Sequence, residues 1–331
     1  MLLDIVLFVV SILLILGSAN LLTDGAAGLT RRLGINPLVI GLTIIAFGTS
    51  APELVVSLSS ALKGSGDIAL GNAIGSNIFN NLAVIGITAM ISPLAVKSST
   101  IKREIPLLFL GSLVLAVMLL DNLFGQSLGS LILTRGEGLT LLAFFAIFLA
   151  YSLAIAKDDS NLPISPDSES SQTEDKSNTE RPLYWLIIFI ILGLAGLVFG
   201  GDLFVSSSVN LARIFGVSEG MIGLTIVALG TSLPELATAI IAALKKEPEL
   251  AMGNVVGSGI FNIFCILGLT ASVSPFEIKD ISTVDIIILV LSSMLLYLFG
   301  AFFGDKVIKR WEGAMLVLFF LAYNVYLIGT V

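Results

Sequence analysis

Two glutamates stand where a carboxylate is costly. Glu53 lies in AFGTSAPEL and Glu235 in ALGTSLPEL, each about fifteen residues into an apolar run and without a Lys or Arg at similar depth. Carboxylates buried in that way need a proton or a bound cation to neutralise them. The residues around them offer only oxygen. Thr49 and Glu53 are spaced i,i+4, as are Ser76 and Asn80, so each pair shares one helix face, and Thr231/Glu235 and Ser258/Asn262 repeat the pattern. Pro52 and Pro234 remove a backbone donor and crowd the carbonyls of Gly48 and Gly230. That predicts an opened helix with loosened main-chain oxygens from Ala46 to Thr49 and from Ala228 to Thr231. Hydroxyl pairs alone would be a weak signal, because Ser and Thr commonly bond their own helix carbonyls. Beside two acids they read as ligands for a hard cation. Ca2+ takes about six to eight oxygens in flexible geometry, Mg2+ sheds water reluctantly, and Zn2+ or copper prefers His or Cys. Calcium or sodium fits this donor set.

The two sites are copies. GLTIIAFGTSAPEL (Gly41 to Leu54) returns as GLTIVALGTSLPEL (Gly223 to Leu236), and GNAIGSNIFN (Gly71 to Asn80) returns as GNVVGSGIFN (Gly253 to Asn262). The offset is 182 residues both for Glu53 and Glu235 and for Asn80 and Asn262, and it holds through Ser92-Pro93 and Ser274-Pro275. RGEG at Arg135 is echoed by RWEG at Arg310. The glycine spacings Gly71/Gly75 and Gly253/Gly257 suit close helix packing, but packing alone does not account for buried acids.

The elements that position these motifs must lie in a bilayer. Of 331 residues, 56% are hydrophobic and 12% charged, with mean hydropathy +1.02; ordinary domains carry about 25% charged residues. A large soluble domain is excluded. The apolar runs predict an all-α polytopic protein with ten spans, near residues 3–29, 38–62, 68–92, 105–120, 138–156, 183–212, 220–244, 250–274, 283–303 and 313–329. Five spans per half is an odd number, so the second copy enters from the opposite side and the repeats are inverted. The division is 1–156 (motif segment 41–93), an acidic linker at 157–182, and 183–331 (motif segment 223–275). The linker holds seven acids against three basic residues, a balance of −4 within a chain total of −7, so the acidity reflects a solvated loop. Outside it, ten Lys and Arg fall on one face and four on the other, which predicts a cytoplasmic linker and both termini outside.

Absences narrow the chemistry further. There is no histidine, so metal or proton chemistry must run through oxygen ligands and carboxylates. The single cysteine, Cys265, reads as a small buried hydrophobe. No GxxxxGK[ST] cradle points to ATP, and no enzymatic constellation, nucleotide or nucleic-acid partner is indicated. The first twenty residues carry Asp4 and no basic stretch, which predicts a first span in place of a cleaved leader. Asp24 and Asp202, in the first and sixth runs, are expected in structural or hydration roles.

With both motifs present twice at one spacing, the chain resembles the cation/calcium exchanger superfamily, and within it the prokaryotic sodium/calcium exchangers. The resemblance covers essentially the whole chain and implies a monomeric, cofactor-free antiporter in the cell membrane that carries Ca2+ and Na+. It implies calcium bound by Glu53 and Glu235 with main-chain oxygens of Thr49 and Thr231. It implies sodium bound by the carbonyls of Ala46 and Ala228, the hydroxyls of Thr49, Thr231, Ser76 and Ser258, and the same glutamates, with Ser50 and Ser232 flanking them. The sequence departs from the pattern at Asn80 and Asn262, where some relatives carry Asp, and at Gly259, which replaces the repeat's Asn77. Amides at both positions argue against potassium cotransport. GTS in both copies favours sodium over the GN usual in proton/calcium relatives. Proton/calcium exchange and a passive cation channel are the rival functions.

Overall fold

The computed structural model describes residues 2–124, 131–160, 182–214, 228–278, 281–302 and 306–330. The chain enters through a 32-residue helix, α1 (Leu2–Leu33), and its apolar composition has the length for a bilayer. Asn36 then starts the next helix by accepting a hydrogen bond from Leu38 N at 3.0 Å. That helix, α2 (Pro37–Thr49), is bent by 47° from α3 (Ala51–Leu62). α4 (Gly66–Ile91) follows, then α5 (Glu104–Phe124) and α6 (Arg135–Ser160). The second half repeats the order. α7 (Leu183–Ile214) is as long as α1; a short turn α8 (Ala228–Thr231) leads into α9 (Leu233–Leu244), α10 (Pro248–Val273), α11 (Thr283–Ala301) and α12 (Arg310–Thr330).

Among the described residues seven helices are long and apolar enough to cross a membrane, and eight when the bent pair α2/α3 counts as one. The expected seventh span, 220–244, falls partly on residues outside those described; its described part is α8 and α9. The tenth, 313–329, coincides with the helix α12, which is not among the seven or eight. α4 and α10 form the core: their spans are 78% and 83% buried, against 22% for α1 and 28% for α7. The outer helices turn bare apolar side chains outward, among them Leu13, Phe199 and Val325. In lipid that surface is solvated.

The all-α expectation needs one correction. Four short strands pair into two antiparallel ribbons: β1 (Leu94–Ala95) with β4 (Val307–Ile308), and β2 (Leu131–Leu133) with β3 (Phe276–Ile278). Pro93 and Pro275 cannot continue the helices before them, and the chain just beyond each pairs its own backbone in a ribbon. Each ribbon joins one half of the chain to the other.

The echo RGEG/RWEG also finds its cause. Glu137 Oε2 accepts from Thr134 N at 2.7 Å and Glu312 Oε2 accepts from Lys309 N at 2.6 Å, so each acid closes the start of its helix. The glycines that follow are contact points. A Cβ on Gly138 would meet Gly268 O at 2.8 Å, and one on Gly313 would meet Gly86 O at 2.5 Å. Gly86 and Gly268 are themselves 182 residues apart. Each half therefore packs its last helix on the core helix of the other.

Candidate functional site

The site grows from the break between α2 and α3. Ser50, in the break, sits at φ −84°, ψ 7°, and Ser232, between α8 and α9, at φ −93°, ψ 6°. This bridge conformation, sparsely populated elsewhere, lets a new helix start at an angle to the old. Pro52 and Pro234 fall in the first turns of α3 and α9, where their missing N–H costs nothing. The prolines thus begin helices more than they tear them, and the shared face expected for Thr49 and Glu53 is bent at Ser50. Glu53 and Glu235 occupy those same first turns, where the positive helix end favours a carboxylate.

Both glutamates are buried, at 1% and 0% exposure. Glu53 Oε1 lies 3.4 Å from Ser76 Oγ of its own half and 3.2 Å from Ser232 Oγ of the other; the two hydroxyls are 3.1 Å apart. Glu235 Oε1 lies 3.4 Å from Ser258 Oγ of its own half and 3.2 Å from Ser50 Oγ of the other. The second oxygen of each carboxylate, Oε2, is buried and accepts no hydrogen bond. Among the described residues no third carboxylate, cysteine or histidine joins them. Two carboxylates closed off from water with no cationic side chain in the network are a strong demand for positive charge.

The remaining candidates divide. Thr49, fully buried, donates toward Asn254 Oδ1 at 3.0 Å and lies 3.5 Å from Ser258 Oγ. The Ala46 carbonyl faces Thr49 Oγ1 at 3.3 Å and accepts from Ser50 N at 3.0 Å, so it is less free than the sequence suggests. Ala228 and Thr231 form α8. Asn80 and Asn262 each fall in a π-helical stretch, Phe79–Val84 and Phe261–Leu267, wound irregularly as helices often are at functional sites. Neither amide is hydrogen-bonded to a glutamate. Asn262 Nδ2 donates to Asn77 Oδ1 at 3.4 Å, while both polar atoms of Asn80 lack a partner.

Two residues escaped the sequence reading. Asn72 Nδ2 donates to the Glu53 carbonyl at 3.1 Å and to Ser57 Oγ at 3.0 Å; Asn254 Nδ2 donates to the Glu235 carbonyl at 3.5 Å. The signal was the GN that opens both copies of the second motif. The Asp24 expectation fits an ion pair with Lys245 at 2.6 Å, whereas Asp202 is exposed on α7.

Comparison with known proteins gives this geometry a family. The model of the sodium/calcium exchanger protein family matches residues 3–154 and 185–329. The chain belongs to the sodium/calcium exchanger family. It is a family of transporters, and this member is a multi-pass membrane protein with a mostly helical fold. Over its whole length the chain is 40% identical to the whole of the "Putative antiporter CaxA" of Alkalimonas amylolytica. It is 28% identical to the sodium/calcium exchanger MaX1 of Methanosarcina acetivorans, with 98% of each chain covered. Among solved structures, the sodium-calcium exchanger NCX_Mj soaked without Na+ and Ca2+ superposes with a TM-score of 0.81 at 28% identity, covering 98% of this chain and 99% of that one.

Proposed function

We propose that this exchanger is a secondary active antiporter that trades sodium for calcium across the membrane by alternating access, both ions being held by Glu53 and Glu235. The observation that carries the reading is the pair of buried carboxylates, each clasped on Oε1 by serines of both halves and left with Oε2 unpartnered. Calcium cancels the pair's two charges at once. Sodium ions cancel them singly, with hydroxyls of Thr49, Thr231, Ser76 and Ser258 and carbonyls of Ala46 and Ala228 completing their shells. Asn80 and Asn262 supply neutral oxygens beside them, and Ser50 and Ser232 hold the carboxylates in register. Because bare carboxylates are costly in the membrane interior, the protein reorients only when loaded, which couples the two fluxes.

The proposed plan is ten spans in two inverted five-helix halves, 1–156 and 183–331, whose motif segments 41–93 and 223–275 meet at mid-depth. The linker 157–182 lies in the cytoplasm and both termini outside. The carrier works as a monomer without a cofactor. The test is reconstitution: sodium-loaded vesicles should accumulate labelled calcium when external sodium is diluted. Accumulation driven instead by a pH gradient without sodium identifies proton coupling, and flux that only runs down the calcium gradient identifies a channel.

A further inference from the structure

A cavity of about 140 Å³ lies at the start of α2, between it, the helical turn Ser98–Lys102 and the end of α6. Asn36, Ser99, Arg103, Glu104 and Ser152 give it polar walls. None of these belongs to the paired-glutamate site. Glu104, in the first turn of α5, is fully buried. Tyr151 OH donates to its Oε1 at 2.6 Å, but its Oε2 accepts nothing. Ser152, one residue along α6 from that tyrosine and 1% exposed, has a hydroxyl that is also without a partner. Two unpartnered oxygens in the wall of one cavity imply an occupant, since a buried polar atom left unsatisfied is costly.

The chemistry restricts that occupant. A carboxylate oxygen already bare of donors repels an anion. A divalent ion asks for about six or more oxygens and matching charge, whereas this cavity holds one carboxylate; Arg103 also lines it, but its side chain is exposed and its charge screened by water, while that of Glu104 is buried. A single positive charge suits the balance. The volume has room for one such ion with a few waters, each taking about 30 Å³. We propose that this cavity is a second cation site that takes a sodium- or potassium-sized monovalent ion on Glu104 Oε2 and Ser152 Oγ, with Ser99 and water completing the shell.

Its position gives the site a lever. Leu38, Val39 and Leu42 of α2 form the apolar wall. Thr49, at the end of α2, lies seven residues beyond Leu42, about 10 Å along the axis at helical rise. An ion that draws the cavity together therefore sets the helix that ends beside Glu235's serine partner, Ser50. Arg31, Arg32, Lys97 and Lys102 flank this end in sequence, so on the orientation proposed above the site samples cytoplasmic cations.

The test uses the full chain with Glu53→Gln and Glu235→Gln both introduced, so that the transport carboxylates are gone and the outcome is independent of the exchange reading. Thermal unfolding in detergent is measured in sodium, potassium or N-methylglucamine chloride at equal ionic strength. Saturating sodium or potassium should raise the midpoint by on the order of 2 °C over N-methylglucamine. Adding Glu104→Gln should abolish the rise, and adding Ser152→Ala should shift its half-saturation several-fold upward. Should the Glu104 variant not fold, the Ser152 variant carries the test alone. No difference between the alkali cations and N-methylglucamine, as a cavity holding only water would give, overturns the proposal. So does a rise that neither substitution alters.

Discussion

Ser232 Oγ lies 3.2 Å from Glu53 Oε1 across 179 residues of sequence, and Ser50 Oγ lies 3.2 Å from Glu235 Oε1 across 185. Each half of the molecule thus holds the other half's carboxylate. Neither glutamate can change its orientation without disturbing a helix break in the opposite repeat, so the two carboxylates are mechanically coupled.

Removing either hydroxyl should weaken that unit. A hydrogen bond to a charged group is worth about 1.5–3 kcal/mol, so Ser50→Ala and Ser232→Ala should each raise the calcium concentration for half-maximal exchange roughly tenfold or more. Because the contacts are reciprocal, the two effects should match. The concentration dependence of calcium uptake checks this, and unchanged half-saturation in either variant would argue against the clasp.

The amides behind the carboxylates give a second prediction. Asn72 and Asn254 tie the main chain at Glu53 and Glu235 to the core helices α4 and α10, and Asn254 also receives Thr49's hydroxyl. Asn72→Ala and Asn254→Ala should lower the exchange rate, on the order of tenfold, while the protein still folds, with the larger loss at Asn254 because Thr49 of the other half loses its anchor there too. Initial rates at saturating calcium, compared with unfolding midpoints, separate a site defect from a folding defect.

Helix packing yields a prediction about stability. A methyl on Gly138 would lie 2.7 Å from Ser272 N, whereas one on Gly17 meets nothing within 4 Å. Gly138→Ala should destabilise by about 1–3 kcal/mol through overpacking. Gly17→Ala should be neutral or stabilising by up to about 1 kcal/mol, because alanine is the better helix former. Thermal unfolding of the two variants side by side reads the contrast.

The parts legible in the sequence are those in which a residue type conflicts with its surroundings. A glutamate inside an apolar run is such a conflict, and the 182-residue repeat doubled it, so Glu53, Glu235 and the hydroxyls at Ser76 and Ser258 could be named. Spacing along one helix reports only neighbours within that helix. It therefore did not single out Ser50 and Ser232, which the family resemblance placed only at the flank, because their partners lie in the other half. It passed over Asn72 and Asn254, whose amides reach a backbone carbonyl 19 residues away. Strands of two or three residues carry no periodicity, so the ribbons at Leu94 and Phe276 left no trace beyond the prolines before them. The helix bend at Ser50 followed from Pro52, but the way it separates Thr49 from Glu53's face depended on φ and ψ at a single serine.

Charge neutralisation by the paired glutamates is the centre of the account, and removing one charge at a time tests it most directly. Glu53→Gln and Glu235→Gln keep shape and hydrogen-bonding capacity while halving the site's charge. In sodium-loaded vesicles with equal amounts of folded protein, each substitution should reduce sodium-driven calcium uptake to the protein-free background. Uptake at the unsubstituted rate in both variants would contradict the assignment of the transported cations to these two residues.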